Sequence, residues 1–288
     1  MVELIFEGPP GGFLPGLGPG IRPVVAVDGP NGPVIFAASG SSGGLIVMSV
    51  TPTGLQFLGQ RIFEPAVQNA VDGRLVLLET PQGLVIVFGA DGVDTLVGYR
   101  VTATGLGDLV TLTGLGLGAA PDSPGMTPIA QNMLGDLFTA LPGALRGFEL
   151  NSAGAITSSG SALDSATIAL AKPTLVATTS LGPTQFVVTA SREEVGITAF
   201  RVPEIGGPPV PTASIGTAEG LGLFNAPLGL EIVALAGRSF VVVASAPETG
   251  TGAALSVLEL TENGALAVTD HILDAQGTRF GAVTGLSA

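Results

Sequence analysis

The stretch that decides the fold is Leu45-Ile-Val-Met-Ser-Val50 followed by Thr51-Pro-Thr-Gly54-Leu55. It reads as a short strand, a tight turn and the start of a returning strand. The phrase recurs at residues 96–101 with Gly105, at 145–150 with Gly154, at 197–202 with Gly206 and at 255–260 with Gly264. In every copy the glycine keeps the same offset from the last apolar strand residue, which marks an internal repeat. Because successive strand side chains alternate, Met48, Tyr99, Phe148, Phe200 and Leu258 share a face with Val50, Val101, Leu150, Val202 and Leu260. Ser49, Arg100, Glu149, Arg201 and Glu259 fall on the opposite face, so the pattern predicts one buried and one partly wet face. The turn favours Thr or Asn first and Pro second. A residue with positive φ then completes the reversal, and glycine takes that conformation without a Cβ clash.

Outward from this phrase, apolar runs rich in Val, Ile, Leu and Thr alternate with Gly, Pro, Asn, Asp and Ser. They predict four strands per unit at a spacing of roughly 50 residues, the blade of a β-propeller. The expected fold is all-β: five complete blades of four antiparallel strands in one domain spanning residues 1–288. The blades fall at about 22–63, 74–114, 126–163, 173–216 and 229–273, with partial strands at 2–7 and 279–287. The third repeat is the weakest. Gly16-Leu-Gly18, Gly114-Leu-Gly116 and Gly220-Leu-Gly222 repeat where the chain crosses from one blade to the next. The unmatched ends predict a fragment of a longer chain or an open ring, whose unpaired blade edges would favour self-association.

Composition excludes several function classes. The net charge is −13, and Lys172 is the only lysine beside nine scattered arginines. A nucleic-acid surface needs clustered cations to displace counterions from phosphates, so nucleic acid is not an expected partner. No apolar run approaches the roughly 18 residues of a membrane helix, so membrane insertion is not expected. Cysteine is absent, which removes disulfides, thiolate metal sites and thiol catalysis. The N-terminal residues Met1-Val-Glu-Leu-Ile-Phe-Glu7 lack a basic head, and no N-terminal signal peptide is read there.

Chemistry-bearing motifs are sparse. Gly40-Ser-Ser-Gly-Gly44 matches a serine nucleophile elbow, but that motif needs a strand-to-helix turn and a histidine base. The sole histidine, His271, falls in an outer strand of another repeat, and the glycine-rich segment reads as a turn. Gly114-Leu-Gly-Leu-Gly-Ala119 resembles a dinucleotide fingerprint, yet Pro121-Asp-Ser-Pro124 follows where a helix would have to begin. Gly89-Ala-Asp91-Gly92-Val-Asp94 comes within one residue of a nine-residue calcium repeat, with Asp91 and Asp94 as the metal candidates. Such sites are built from tandem copies, and here there is one, which reads first as a solvated acidic turn. At the channel mouth, where crossing connectors meet inner strands, Asn69, Asp72, Asp122, Asp164, Glu219 and Asn225 are the binding candidates. A metal-dependent hydrolase would need several such donors around one ion. These do not recur in register, and no catalytic residue is assigned.

The repeat unit, best seen in Phe240-Val-Val-Val-Ala-Ser245 and Leu255-Ser-Val-Leu-Glu-Leu-Thr-Glu-Asn-Gly-Ala-Leu266, resembles the propeller-like N-terminal regions of secreted hemolysin-type calcium-binding (RTX) bacterial proteins. It is also similar to the seven-bladed lactonase-type propeller group. The first resemblance implies export through a C-terminal signal, and hence a secreted or extracellular protein; a cytoplasmic one is the alternative. The tandem calcium repeats of that class are missing, so calcium is expected at most at the Asp91–Asp94 turn and no other cofactor is expected. The expected function is a non-catalytic interaction or display propeller that binds a protein or carbohydrate. The alternative is a lactonase-like hydrolase of small sugar-acid lactones.

Overall fold

The computed structural model describes residues 21–29, 32–39, 44–62, 75–88, 95–102, 105–113, 129–151, 155–224, 226–247 and 253–273. The partial strands expected at 2–7 and 279–287 lie outside them. The chain divides into two compact units, residues 1–126 with 152–155, and residues 127–151 with 156–288.

The first unit holds two four-stranded antiparallel sheets. One is β1 (Ile21–Gly29), β2 (Gly32–Ser39), β3 (Gly44–Thr51) and β4 (Gly54–Ile62). The other is β5 (Leu75–Thr80), β6 (Gly83–Phe88), β7 (Thr95–Thr102) and β8 (Gly105–Thr113). Phe36, Leu45, Val47, Leu75, Ile86 and Tyr99 form their shared core. Arg61 on β4 ties the outer strands together: it donates to the Gly107 carbonyl of β8 and lies 4.6 Å over the Tyr99 ring.

The second unit holds three more sheets of the same order. The third blade is β9 (Ile129–Gln131), β10 (Leu137–Leu141), β11 (Ala144–Leu150) and β12 (Ile156–Leu163). The fourth is β13 (Pro173–Leu181), β14 (Thr184–Ser191), β15 (Gly196–Val202) and β16 (Val210–Ile215). The fifth is β17 (Ala226–Leu235), β18 (Arg238–Ala246), β19 (Ala254–Leu260) and β20 (Leu266–Leu273). Within each unit the first strands of successive sheets lie side by side, β1 with β5 and β9 with β13 with β17. The protein is therefore all-β, with five four-stranded antiparallel blades in a propeller arrangement among the described residues. The lactonase-type group that the blade phrase resembles has seven. The third repeat is irregular where the sequence is weakest: β9 stops after three residues because Asn132 folds a turn, its Oδ1 accepting the Leu134 and Asp136 amides.

The repeated turn follows the expected chemistry. Gly54 and Gly105 have φ of +129° and +126°. The threonines three residues earlier, Thr51 and Thr102, donate to the glycine carbonyls at 2.8 and 3.2 Å. Thr80 and Gly83 do the same in the first hairpin of the second blade.

One expectation is corrected. The pattern predicts one wet face, yet in the fourth blade both faces are buried: every residue of β14 from Gln185 to Ser191 is buried, as is β15 from Gly196 to Phe200. Val187 and Phe200 pack toward the third blade with Phe138 and Leu145, while Phe186, Val188 and Ala199 pack toward the fifth with Val241 and Leu258. A sheet covered on both sides has no wet face. In the fourth blade only the last residues of the phrase, such as Arg201, reach solvent, because they stand at the hairpin end. In the fifth the expected alternation is kept, with Leu255, Val257 and Glu259 half-buried.

A β-bulge recurs in all five blades where the third strand meets the fourth, at the same position of the phrase in four of them and slightly later in the second. The register slips between Val47 and Met48, between Tyr99 and Val101, between Gly147 and Phe148, between Ala199 and Phe200, and between Val257 and Leu258. The outer strand carries the extra residue and bends. In the last two blades that residue is Thr212 or Thr269, whose hydroxyl donates to the carbonyl of Ala199 or Val257 and satisfies a group the ladder has dropped.

Candidate functional site

Antiparallel order places the connectors between blades, together with each hairpin joining strands two and three, at one end of a blade. The hairpins joining strands one and two, and three and four, stand at the other. Of the channel-mouth candidates, Asp164 and Glu219 belong to the connector end. Asn69, Asp72, Asp122 and Asn225, and the metal candidates Asp91 and Asp94, lie outside the described residues. Asp164 and Glu219 are described, and both are exposed.

Asp164 opens the connector from the third blade to the fourth. Its Oδ1 accepts the Leu170 amide at 3.0 Å, and its own amide donates to the Gly143 carbonyl at 2.9 Å. The Gly143 amide in turn donates to Leu170 O at 2.8 Å, so the hairpin of the third blade clamps both ends of this connector. The next blade completes the clamp. Ala169 N lies 3.2 Å from both Thr198 Oγ1 and Ser214 Oγ, Lys172 N donates to Ser191 Oγ at 3.3 Å, and Ala171 N donates to Glu194 Oε2 at 2.9 Å.

Glu219 ends a short 3-10 turn, Thr217–Glu219, in the next connector, and its Oε2 accepts the Gly216 amide at 2.8 Å. Beyond it, Phe224 N donates to Ser245 Oγ at 3.0 Å and Ser256 Oγ donates to Gly222 O at 3.0 Å. Gly222 packs under the ring of His271, where a Cβ would come within 3.3 Å of it. His271 itself is exposed on the outer strand β20, as expected. Each described candidate carboxylate is thus bound to the backbone of its own connector. No group of three or more histidine or acidic side chains that could hold a metal ion occurs among the described residues.

Ser191, Thr198, Ser245 and Ser256 went unselected in the sequence although they fix the connectors. Their signal is positional: Ser191 and Ser245 end the Ala-Ser of the second strand, and Thr198 and Ser256 are the second residue of the repeated phrase. Ionic contacts at this end are slight; Lys172 Nζ stands 3.9 Å from Glu193 in an exposed pair.

No protein-family model matches the chain, and no curated protein matches it. Solved structures do. A functionally unknown protein from Desulfotomaculum acetoxidans DSM 771 is 13% identical with a TM-score of 0.55, over 87% of this chain and 69% of that one. A protein from Bacteroides uniformis ATCC 8492, described as a "putative 6-phosphogluconolactonase", is 13% identical with a TM-score of 0.57, over 85% and 70%. A counterpart from Bacteroides fragilis NCTC 9343 with the same description gives 13%, 0.55, 84% and 70%. At this identity the likeness is one of fold: the chain shares the architecture of lactonase-like propellers.

Proposed function

We propose that the protein is a non-catalytic propeller module that displays a binding surface to a macromolecular partner. The observation that carries this reading is the commitment of the described channel-mouth acids: Asp164 holds the Leu170 amide and Glu219 holds the Gly216 amide. A carboxylate that fixes a connector is part of the frame, and the hydroxyls of Thr198, Ser214 and Ser245 extend that frame. The reading extends to an exported or surface-displayed protein, on the resemblance of the blade phrase to hemolysin-type proteins. Calcium at Asp91 and Asp94 belongs to the same proposal, and calorimetric titration of the metal-free protein with calcium tests it; absence of heat removes the ion.

A second reading, hydrolysis of small sugar-acid lactones, is favoured by the fold likeness to the two Bacteroides proteins. One assay separates the two. The protein is incubated with a panel of free and phosphorylated aldonolactones, with magnesium, calcium, manganese or zinc added in turn. Ring opening at the spontaneous rate is expected. Turnover that disappears in Asp164→Asn or Glu219→Gln would replace the module by an enzyme.

A further inference from the structure

At the hairpin end of the second unit, the third and fourth blades leave a cleft of about 320 Å³ between them. Its walls include Leu134, Asp136, Phe138 and Glu149 from the third blade and Val202 and Glu204 from the fourth. All of the charged side chains lining it are carboxylates. Large apolar side chains stand open at the neighbouring hairpin tips: Met133 is 80% exposed, Leu134 66% and Ile205 93%. Beside Val202, across the strand pair, sits Gln185; it is 8% exposed and its Oε1 accepts no hydrogen bond among the described residues. Gln185 shares a sheet face with Val187, which packs toward the third blade, so this orphaned acceptor belongs to the same side of the fourth blade as the cleft.

The repeat shows what this place lacks. Glu149 occupies the same position of the repeated phrase as Glu259 in the fifth blade. There, Arg238 grips Glu259 through Nε and a second guanidinium nitrogen, and its guanidinium lies 4.9 Å over the Phe240 ring. In the third blade the position corresponding to Arg238 is Leu134, and the one corresponding to Phe240 is Asp136. Glu149 therefore has a leucine where Glu259 has its arginine, and an acid, Asp136, where Glu259 has a phenylalanine. Neither it nor Glu204 has an ion-pair partner among the described residues. The Glu149 carboxylate rests over Gly206, where a Cβ would stand 2.9 Å from its Oε1.

Resting on the module reading, we propose that this cleft docks an arginine-bearing, apolar-flanked segment of a partner protein. The guanidinium would take the place at Glu149 and Glu204 that Arg238 takes in the fifth blade. A bidentate fork matches a carboxylate. The flanking apolar residues would cover Met133, Leu134 and Ile205. With a net charge of −13 and few cations, a second copy of this chain is a poor occupant.

The probe is a fluorescein-labelled pentapeptide amide, Leu-Arg-Leu-Arg-Leu, titrated by anisotropy against the whole chain, beside a twin with citrulline for arginine. Citrulline keeps the shape and removes the charge. The arginine peptide is expected to bind about tenfold more tightly than its twin, and Glu149→Gln with Glu204→Gln to lose a similar factor. Ile205→Ser should weaken binding a few-fold, since it removes apolar contact alone. Glu193→Gln, at the connector end, controls for the general acidity of the protein and should change nothing. The inference is overturned by no binding at about 1 mM peptide, a ceiling of weak affinity. It is equally overturned by binding that both cleft substitutions leave intact, or that Glu193→Gln weakens as much. Neither result touches the lactone assay: turnover there would remove the module reading whatever the peptide does.

Discussion

The two ends of the second unit use acidic residues in opposite ways. At the connector end Asp164, Glu194 and Glu219 each accept a backbone amide, so their charge holds the crossing in place. At the hairpin end Glu149 and Glu204 face a cleft and have no ion-pair partner among the described residues. The difference teaches where to look for function on a repeated frame. An acid on a connector is needed to turn the chain, because a crossing strand leaves amides unpaired. A hairpin closes its own hydrogen bonds and leaves its side chains available.

The largest effect should come from wedging the hairpin end apart. Gly264 has φ of +82°, and its carbonyl lies 2.9 Å from the Thr212 hydroxyl of the preceding blade, which it shares as an acceptor with Ala199 O. A Cβ there would stand 2.6 Å from Thr212 Cβ. Gly264→Val should cost about 3 kcal/mol or more, combining left-handed strain with a clash. Gly143 at the connector end has φ of +77° but nothing within 4 Å of its Cβ position. Gly143→Val should cost only about 1–2 kcal/mol, from strain alone. Equal urea midpoints for the two variants would show that blades do not interlock through this hairpin.

The next effect breaks the connector end. Asp164→Ala strips the partner from the amide of Leu170, which is 0% exposed, and should cost about 1–2 kcal/mol. Glu219→Ala frees an amide in an exposed turn that water can reach, so about 0.5 kcal/mol is expected. Thermal melts check the order. If Asp164→Ala melts with the wild type, the carboxylate is not structural, and its freedom would count for the hydrolase reading.

Much of the fold was legible because its signals are local. Period-two alternation and the repeated strand–turn–glycine phrase lead to five units of four antiparallel strands, as the sheets show. The bulge was not legible: one added residue such as Thr212 leaves the composition of the outer strand unchanged, and only the register shows it. The double burial of β14 was missed because a strand phrase records its own alternation and not how many sheets lie beside it. For the site, sequence offers Asp164 and Glu219 as channel-mouth candidates, but their amide partners, Leu170 and Gly216, follow from the folded turn. Asn69, Asp72, Asp91, Asp94, Asp122 and Asn225 lie outside the described residues. The cleft was beyond reach, since Asp136, Glu149 and Glu204 come together only when two blades stack.

The smallest effect tests the internal comparison on which the cleft rests. In the fifth blade the hydrogen bond from Arg238 holds the Glu259 carboxyl below its ordinary value of 4.5. The same contact raises the Arg238 guanidinium further above neutrality. A carboxyl depressed by folding contributes stability that is fully present above its unfolded pKa and is lost as pH falls through its folded pKa. Both groups are solvent-exposed, so screening keeps the contribution small. The wild type should therefore lose slightly more stability than Glu259→Gln as the pH is lowered from 5 through the acid range, and the two should run parallel above it. Urea midpoints at closely spaced pH values read the difference, and raised salt should shrink it. Parallel curves throughout would mean that Arg238 does not engage Glu259 in solution. The fifth blade would then offer no precedent for a guanidinium at Glu149, and the cleft would have to stand on its peptide titration alone.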